Sequence, residues 1–411
     1  MDAVALFDPI NSAANLKNAA KELGFKVIGV FTKSISLFKE KYHVTEESLF
    51  ADCDEVIIAD ERKAILQKLK NSPFTIRAVI TGLDSGLELA DQIAHDLKCF
   101  RNPIGLSSAR RDKGKMRKVI KKSGYACPDF SLCQTEAKLN RFLSTHSFPL
   151  VVKTPRGAAT SQVYVCNDEK SARLAFHEIR STEDFFGDRA KYAVIEEYIS
   201  GKEYIVNTFS DGKIVHITDV WVYDKIDTEI FKNVTYNAVS IPLSDPTIKT
   251  LVHHGAGLTK AFGIKRGPAH LEIKEDPIRG PTLIEINARI CGAKLPDFMK
   301  KYTNFDPYRA TIEVFAYGKV AFPNPLIFHK HFAVACCPVF QSGIVKEISG
   351  IEKIQELSSY DKHTLSIQKG DQIPPSTYTT TIPLFVYLAH SDRKQLLVDL
   401  EKAHELFEVK F

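Results

Sequence analysis

Two short segments near the middle of the chain carry the side chains best suited to chemistry. Residues 269–274 and residues 281–289 each alternate apolar and polar side chains with period two, as strands with one buried face do. Residues 275–280 between them are rich in turn formers. The three segments together predict an antiparallel β-hairpin.

This hairpin brings two glutamates face to face. A turn centred between residues 278 and 279 pairs Glu272 with Glu285 and His270 with Asn287. Directly opposed residues lie roughly 5 Å apart at Cβ. Two like charges at that spacing destabilise a sheet unless something neutralises them.

A divalent cation would neutralise this pair. Mg²⁺ prefers oxygen ligands and is usually held by one or two carboxylates together with the phosphates of a substrate. By alternation, Glu285, Asn287 and Arg289 share one face of the second strand. The opposite face is apolar and consists of Ile284, Ile286 and Ala288. Two alternatives stay open, namely a surface hairpin with stray charges and a metal-free carboxylate pair that shares a proton.

The bulk composition is that of an ordinary globular protein. The chain has 411 residues, of which 44% are hydrophobic and 26% charged, and this length suggests two or three domains. A net charge of +5 gives no reason to expect a nucleic-acid partner. The eight cysteines lack CxxC spacing, which disfavours a zinc site. With no signal peptide and no apolar run approaching ~18 residues, we expect a cytoplasmic protein without a membrane partner.

Residues 1–106 alternate between strand and helix patterns, which predicts a small parallel sheet with helices on both faces. The loop at residues 82–86 follows a strand that ends at Thr81. Ligands of open α/β sheets bind beyond the carboxyl ends of strands, so this loop is a candidate substrate wall. An ordinary strand-to-helix turn explains it equally well.

Two lysines lie near the boundaries of predicted elements, and one of them precedes a loop of small residues. Ser107 or Ser108 can cap a helix that runs to about residue 122 and contains Lys113, although a lone lysine on a basic helix is usually only solvated. Lys153 ends an apolar strand and precedes the small, hydroxyl-bearing loop 155–162. Such a loop can fold over phosphates with backbone N–H groups and hydroxyls, and a plain hairpin loop is the alternative.

The remaining patterns outline the rest of the chain. Residues 193–199 predict a strand that leads into a turn, and residues 246–262 predict a helix. Residues 223–236 are polar without clear periodicity and predict a loop of the kind that often carries function. The C-terminal part predicts strands at 332–339 and 379–389 and a closing helix at 392–406.

In order and spacing, these features resemble the ATP-grasp family. The resemblance rests on five motifs: Lys113 on an entry helix, Lys153 before a small-residue loop, Glu-Glu-Tyr-Ile at 196–199 followed by Gly-Lys-Glu-Tyr at 201–204, the paired glutamates, and Asn-Ala-Arg at 287–289. It implies a mixed α/β and α+β fold. A parallel-sheet N-terminal domain would span 1–106, a two-part ATP-grasp clamp 107–320, and an α+β C-terminal cap 321–411.

The resemblance also implies how the nucleotide is bound. Lys113 and Lys153 would contact ATP phosphates, under the loop 155–162 with its Ser161. The adenine and ribose contacts would come from the strand and turn that follow: Glu196 would accept from the adenine amino group, Glu197 and Ile199 would hold the base through backbone groups, and Glu203 would bind the ribose hydroxyls.

The metal and the chemistry are implied in the same way. Glu272, Glu285 and Asn287 would ligate Mg²⁺, which Mn²⁺ could replace, and Arg289 would steady the negative charge of an acyl phosphate. Lysines and Mg²⁺ suit this role because both stabilise charge on a transferring phosphoryl group.

Within the family, the chain most resembles L-amino-acid ligases that make dipeptides. This resemblance lies in the sequence of residues 289–293 and in that of the C-terminal module. Residues 292–295 would line the pocket of the first amino acid. His270 would lie on the same side, either touching substrate or as a structural histidine. Three features depart from the family pattern: few glycines in the phosphate loop, Asp84 where relatives more often carry glutamate, and the small Ala293.

The implied enzyme is an ADP-forming carbon–nitrogen ligase whose partners are a small carboxylate and an amine, both amino acids. Its oligomeric state stays open, a homodimer included. One alternative is a ligase of the same clamp acting on bicarbonate, a purine precursor or a natural-product acid. Another is an ATP-binding regulator that has lost turnover.

Overall fold

The computed structural model describes residues 1–33, 35–42, 44–158, 161–228 and 234–411, without the side chain of residue 41. Within that part of the chain, the longer strands form a four-stranded parallel sheet, a four-stranded antiparallel sheet and an eight-stranded antiparallel sheet. None of the described helices has the length and apolarity that crossing a membrane requires.

The N-terminal region is the predicted parallel sheet. Its elements are β1 Asp2–Phe7, α1 Asn15–Glu22, β2 Lys26–Phe31, α2 Ile35–Tyr42, α3 Glu46–Phe50, β3 Glu55–Ile58, α4 Arg62–Asn71, β4 Thr75–Thr81 and α5 Leu87–Asp96. The strand order is β3-β2-β1-β4, and every pair is parallel. Residues 3–7 of β1 are wholly buried because helices cover both faces of the sheet, as its continuous apolar run requires.

The second region is the small antiparallel sheet. Its elements are α6 Lys113–Lys122, β5 Phe130–Cys133, α7 Glu136–Leu143, β6 Leu150–Lys153, β7 Val163–Cys166, α8 Glu169–Ser181 and β8 Ala193–Glu197. The strand order is β5-β8-β6-β7. The β6–β7 hairpin carries the phosphate-loop segment 155–162, of which residues 159 and 160 lie outside the described part.

The predicted serine cap of the entry helix is wrong. A 3-10 helix spans Ile104–Arg110, and α6 begins only at Lys113. Asp112 caps α6, since its carboxylate accepts a hydrogen bond from the backbone N–H of Lys115 at 3.0 Å. The correction puts Lys113 in the first turn of the helix, at the end where unpaired N–H groups lie.

The third region is the large antiparallel sheet. The elements that begin it are β9 Glu203–Asp211, β10 Val215–Ile226, β11 Val234–Ile241, α9 Lys249–Ala261, β12 Arg266–Asp276, β13 Gly280–Asn287, α10 Leu295–Tyr302 and α11 Pro307–Tyr317. The C-terminal elements follow: β14 His331–Cys337, β15 Gly343–Ile344, β16 Glu347–Ser349, α12 Ile351–Gln355, β17 Tyr360–Leu365, β18 Gln372–Ile373, β19 Leu384–His390, α13 Arg393–Leu406 and β20 Glu408–Lys410.

The C-terminal strands continue the large sheet. Its order is β13-β12-β9-β10-β11-β14-β19-β17, so three strands from beyond residue 320 extend the clamp. The division at 106 and 320 therefore stays a prediction, and the second boundary separates strands of one sheet.

Two predicted boundaries in this sheet are wrong. The loop expected at 223–236 is partly strand: β10 and β11 extend into it and pair Tyr223 with Ala238 and Ile226 with Val234. Residues 229–233 of that prediction lie outside the described residues. The strand expected at 379–389 begins only at Leu384, because Thr379–Thr381 forms a 3-10 turn. The Thr381 hydroxyl accepts from the N–H of Tyr378 in that turn and so competes with strand pairing.

Candidate active site

All three sheets contribute to one cleft. The N-terminal region contributes the loop after β4. The second region contributes the first turn of α6, the β6–β7 hairpin, and β8 with the turn after it. The large sheet contributes strands β9–β13, and one residue comes from the C-terminal part. Its lining residues are Asp84, Lys113, Val151, Lys153, Gly157, Ala158, Ser161, Val163, Val165, Glu196, Tyr198, Ile199, Glu203, Tyr223, Lys225, Thr235, His270, Glu272, Lys274, Ile284, Glu285, Asn287, Arg289 and Thr379. Every residue predicted to bind ATP, the metal or the acyl phosphate, except Glu197, is among them.

The predicted hairpin is present, and its register is the predicted one at the two glutamates. β12 pairs with β13 so that Glu272 faces Glu285 and His270 faces Asn287. Nearer the turn the pairing is shifted by one residue, and a bulge between Glu272 and Ile273 corrects the shift. Ile284 consequently lines the cleft instead of the apolar face on which alternation had placed it.

Each glutamate of the pair has a cationic or polar neighbour. The Lys113 ammonium donates to a Glu285 oxygen at 3.1 Å and to the Gly157 carbonyl at 3.2 Å. His270 Nε2 lies 3.6 Å from Glu272. Burial would raise the pKa of Glu272, but the neighbouring His270 and the charges of Lys225 and Lys113 hold it well below its usual value. Glu272 is therefore ionised at neutral pH, which argues against a carboxylate pair that shares a proton.

The donor set at the pair fits Mg²⁺. Two carboxylates and the amide oxygen of Asn287 are hard oxygen ligands at the edge of an open cleft, which leaves positions for phosphate oxygens. Among the described residues, no group of three or more histidine, cysteine, aspartate or glutamate side chains could hold a metal by itself. The arrangement thus suits an ion shared with a substrate more than an all-protein cage.

On the opposite wall, Lys153 belongs to a buried ionic cluster. Its ammonium donates to Glu196 Oε1 at 2.6 Å. Arg117, four residues after Lys113 on α6, donates to Oε1 at 3.0 Å and to Oε2 at 2.8 Å of the same carboxylate. Burial would raise the pKa of Glu196, and the charges of Arg117 and Lys153 lower it to about 2. The sequence analysis missed Arg117, and its i, i+4 spacing from Lys113 was the available signal.

Only some residues of β8 and of the turn after it, which were predicted to bind adenine, face the cleft. Glu196 and Ile199 line the cleft and Tyr198 joins them. Glu197 points elsewhere, since its carboxylate accepts from Arg279 at 2.5 Å and from the N–H of Asp129 at 2.9 Å. The backbone N–H of Glu197 is also used, as it donates to the Asp129 carbonyl.

Two lysines accompany the predicted ribose ligand. Lys225 donates to both oxygens of Glu203 at 2.8 Å, and Lys274 lies 3.8 Å from the same carboxylate. Lys225 was missed because its segment was predicted as a loop, whereas it belongs to β10. Glu203 is thus held in place and keeps a surface toward the cleft.

The phosphate loop is tied to the N-terminal region. Ser161 lines the cleft as predicted. Arg156 at the start of the loop pairs with Glu88 of α5 at 2.6 Å and lies 3.7 Å from Asp112. This contact joins the loop to the parallel-sheet region at the mouth of the cleft.

Arg289 is held by the loop after β4. Its Nε and Nη2 donate to the carboxylate of Asp84 at 3.1 and 2.8 Å. Burial would raise the pKa of Asp84, and Arg289 followed by Arg111 holds it below its usual value. The loop at 82–86 is therefore part of the cleft wall, through Asp84.

His270 has a defined structural partner. Asn207 donates to Asp219 at 2.6 Å, so the other end of its amide accepts from His270 Nδ1 at 2.9 Å. The hydrogen bond at Nδ1 thus fixes the histidine ring, and the residue lines the cleft.

The predicted substrate segment 292–295 does not line the cleft. Gly292 and Ala293 are exposed, and Leu295 is buried in the core against helix and sheet side chains.

Residues 146–297 match the family model for the ATP-grasp domain. Dapdiamide A synthase of Enterobacter agglomerans is 28% identical over 278 residues, which cover 66% of this chain and 64% of that protein. An L-arginine-specific L-amino acid ligase of Bacillus subtilis is 22% identical over 271 residues, which cover 64% of this chain and 62% of that protein. The matched region thus spans just under two thirds of these relatives.

Among solved structures, an L-amino acid ligase from Bacillus licheniformis superposes with a TM-score of 0.81. The match covers 100% of this chain and 99% of that chain at 19% identity. The whole chain, including the C-terminal strands, therefore shares the mixed α/β fold of that ligase.

Proposed function

We propose that this chain, which carries an ATP-grasp domain over residues 146–297, is an ATP-dependent carboxylate–amine ligase. One observation carries the proposal: Lys113 and Lys153 meet the Glu272–Glu285 pair and Arg289 in a single cleft. Cations suited to nucleotide phosphates and oxygen ligands suited to a metal ion line the same cleft, as transfer of a phosphoryl group requires.

The proposed reaction has two steps. An oxygen of the substrate carboxylate attacks the γ-phosphorus of ATP, the bond to the β,γ-bridging oxygen breaks, and ADP leaves. The amine nitrogen then attacks the acyl carbon, the carbon–oxygen bond to phosphate breaks, and the amine loses a proton to water. The products are an amide, ADP and inorganic phosphate.

The chain's own residues bind and orient the reactants. Lys113 and Lys153 hold the phosphates, and Arg289, fixed by Asp84, stabilises negative charge on the acyl phosphate. Mg²⁺, held by Glu272, Glu285 and Asn287, would supply further charge stabilisation.

Four cleft residues are proposed to contact or cover the nucleotide. Ile199 presents its backbone to the base, Glu196 keeps one acceptor position for the adenine amino group, and Glu203 binds the ribose hydroxyls. Ser161 and its loop cover the phosphates and exclude water, which would hydrolyse an acyl phosphate. Glu197 stays outside this set, because its side chain and N–H are engaged elsewhere.

Two L-amino acids are the proposed substrates. The name of one relative supports this choice, since it is an L-arginine-specific L-amino acid ligase. A ligase for another small carboxylate, of natural-product or purine type, is the alternative. A silent ATP-binding regulator is disfavoured because the paired glutamates, Asn287 and Arg289 all line the cleft.

The test is phosphate release from Mg·ATP with all pairs of common amino acids, followed by mass analysis of the products. Release that needs two amino acids and yields their dipeptide supports the proposal, and the same assay with Mn²⁺ tests the replacement of the metal. Release with other acids only would favour the alternative ligase. ATP binding without any release would favour the regulator.

A further inference from the structure

The cluster behind the phosphate lysine carries an excess of positive charge. Arg117, Lys153 and Glu196 are 0, 3 and 2% exposed, and two cations share one carboxylate. The nearest other charges, Lys113 and Glu285, pair with each other at 3.1 Å. A buried charge without a counter-ion is unfavourable, so the excess positive charge favours an anion in the adjoining cleft.

Arg117 cannot be the group that meets this anion. Its Nε and Nη2 donate to Glu196, and its Nη1 donates to the Leu283 carbonyl at 2.7 Å. Its side chain is fully buried and does not line the cleft, whereas Lys153 does. Arg117 therefore acts on a ligand only through its neighbours.

We propose that Arg117 is a positioning residue that engages both oxygens of Glu196 and so keeps the Lys153 ammonium available for a nucleotide phosphate. Without Arg117, Glu196 would pair with Lys153 alone and hold it back from the ligand. The inference rests on the proposed binding of ATP in this cleft and adds a residue that never touches the nucleotide.

The arrangement predicts a pH dependence of nucleotide affinity. Burial and then the charge of Arg117 lower the pKa of Lys153, Glu196 partly offsets this, and the pKa is about 8. The charged groups that face Lys153 are Glu196 from β8 and Arg117 and Lys113 from α6. Phosphate binds the protonated lysine, so affinity is constant below pH 8 and falls above it by up to ~tenfold per pH unit.

The cleft holds other ionisable groups that could contribute to such a profile. They are Asp84, Tyr198, Glu203, Tyr223, Lys225, His270, Glu272, Lys274, Glu285 and Arg289. Burial also lowers the pKa of Lys274. Variants of the buried cluster are therefore needed to assign the inflection.

The experiment measures the affinity of the full chain for ADP with Mg²⁺ by calorimetry between pH 7 and pH 9.5. The wild type is expected to show the inflection near pH 8. In Lys153→Arg the inflection disappears, because arginine stays charged over this range. In Arg117→Met it moves to higher pH, and affinity at pH 7 falls by about tenfold, as expected for a phosphate contact weakened by roughly one charged hydrogen bond.

Three further variants make the test decisive. Arg117→Gln removes the charge but can still hydrogen-bond Glu196, and it takes the place of Arg117→Met if that variant does not fold. Arg117→Lys keeps the charge and should keep the inflection near pH 8. Lys121→Met, at an exposed position of the same helix, should match the wild type.

The outcomes separate this inference from the proposed function. An affinity that is independent of pH, or an inflection that survives Lys153→Arg or does not move on loss of the Arg117 charge, overturns the inference alone. No ADP binding at any pH overturns both. Binding with the expected profile but without amino-acid-dependent phosphate release supports the inference and counts against the ligase.

Discussion

The two walls of the cleft hold their charged side chains in different ways. On the hairpin wall, Glu272 and Glu285 come from adjacent strands, and their side chains are 28 and 17% exposed. On the opposite wall, Arg117, Lys153 and Glu196 come from a helix and two strands and are almost wholly buried. One wall is a local feature open to the cleft, and the other is a tertiary cluster within the core.

This difference separates function from stability. A partly exposed carboxylate can be replaced by an amide at little cost to the fold, since solvent and neighbouring lysines adapt. Removing one partner from a buried ionic cluster leaves an uncompensated charge and costs several kcal/mol. Substitutions on the hairpin wall should therefore affect turnover alone, and those on the buried cluster should affect both properties.

The largest effect is expected for Glu285→Gln, which should lower phosphate release by roughly 10³-fold or more because it removes a metal ligand and its charge. The melting temperature should change by no more than a few degrees. Glu275→Gln, at an exposed position of the same hairpin, is the matched control. Retained turnover in Glu285→Gln would count strongly against the metal site.

Glu196→Gln tests the buried wall through acid unfolding. The folded-state pKa of Glu196 is about 2, below its ordinary value of 4.5, so its ionised form stabilises the fold above pH 4.5. That contribution, up to about 3 kcal/mol, is lost as the pH falls from 4.5 through 2. The variant should be less stable at pH 7, and its free energy of unfolding, from denaturant titrations, should vary less between pH 4.5 and pH 2. Parallel curves for variant and wild type would place Glu196 outside any stabilising cluster.

Lys153→Ala should weaken ATP binding by about 10- to 100-fold, the range expected for loss of a charged hydrogen bond. Binding of amino acids should be nearly unchanged, because Lys153 belongs to the buried wall, which is proposed to bind the nucleotide. Calorimetry with each ligand separates the two effects. Equal ATP affinity in variant and wild type would remove Lys153 from the site.

The smallest effect is expected away from both walls, where the phosphate loop contacts α5 of the parallel-sheet region. Arg156 and Glu88 are 37 and 25% exposed, so their ion pair contributes less than about 1 kcal/mol. Arg156→Met should raise the KM for ATP by only a few-fold and leave the melting temperature unchanged. Arg173→Met, which breaks exposed ion pairs with Glu136 of α7 and Glu169 of α8, should alter neither quantity. A large loss of turnover in Arg156→Met would mean that this residue contacts the nucleotide directly.

The hairpin wall could be predicted from the sequence because its geometry is short-ranged. Alternation and turn chemistry were enough to pair Glu272 with Glu285. Yet the pairs near the loop are centred on residue 278, so their register is one residue off, and the bulge restores the predicted register at the glutamates. The pairing was thus correct at the glutamates and wrong for Ile284, since a bulge leaves no signal in the apolar pattern.

The buried wall could be predicted only in part. Lys153 and Glu196 were found through the family resemblance, but their connection through Arg117 depends on how α6 packs against two sheets. The same limit explains Lys225, whose polar segment pairs as β10, and Glu197, which strand pairing turns away from the cleft. Long-range packing decides these positions, and local composition does not encode it.

The continuity of the large sheet bears on how this protein can be dissected. β11 pairs with β14 through Asn237, Ala238 and Val239, so the nucleotide clamp and the C-terminal strands share backbone hydrogen bonds. An isolated fragment that stops before residue 331 would leave this strand as a bare edge, prone to self-association. The clamp is therefore not expected to fold as a separate domain. Chimaeras that exchange substrate preference between relatives should keep both halves of the sheet from one parent.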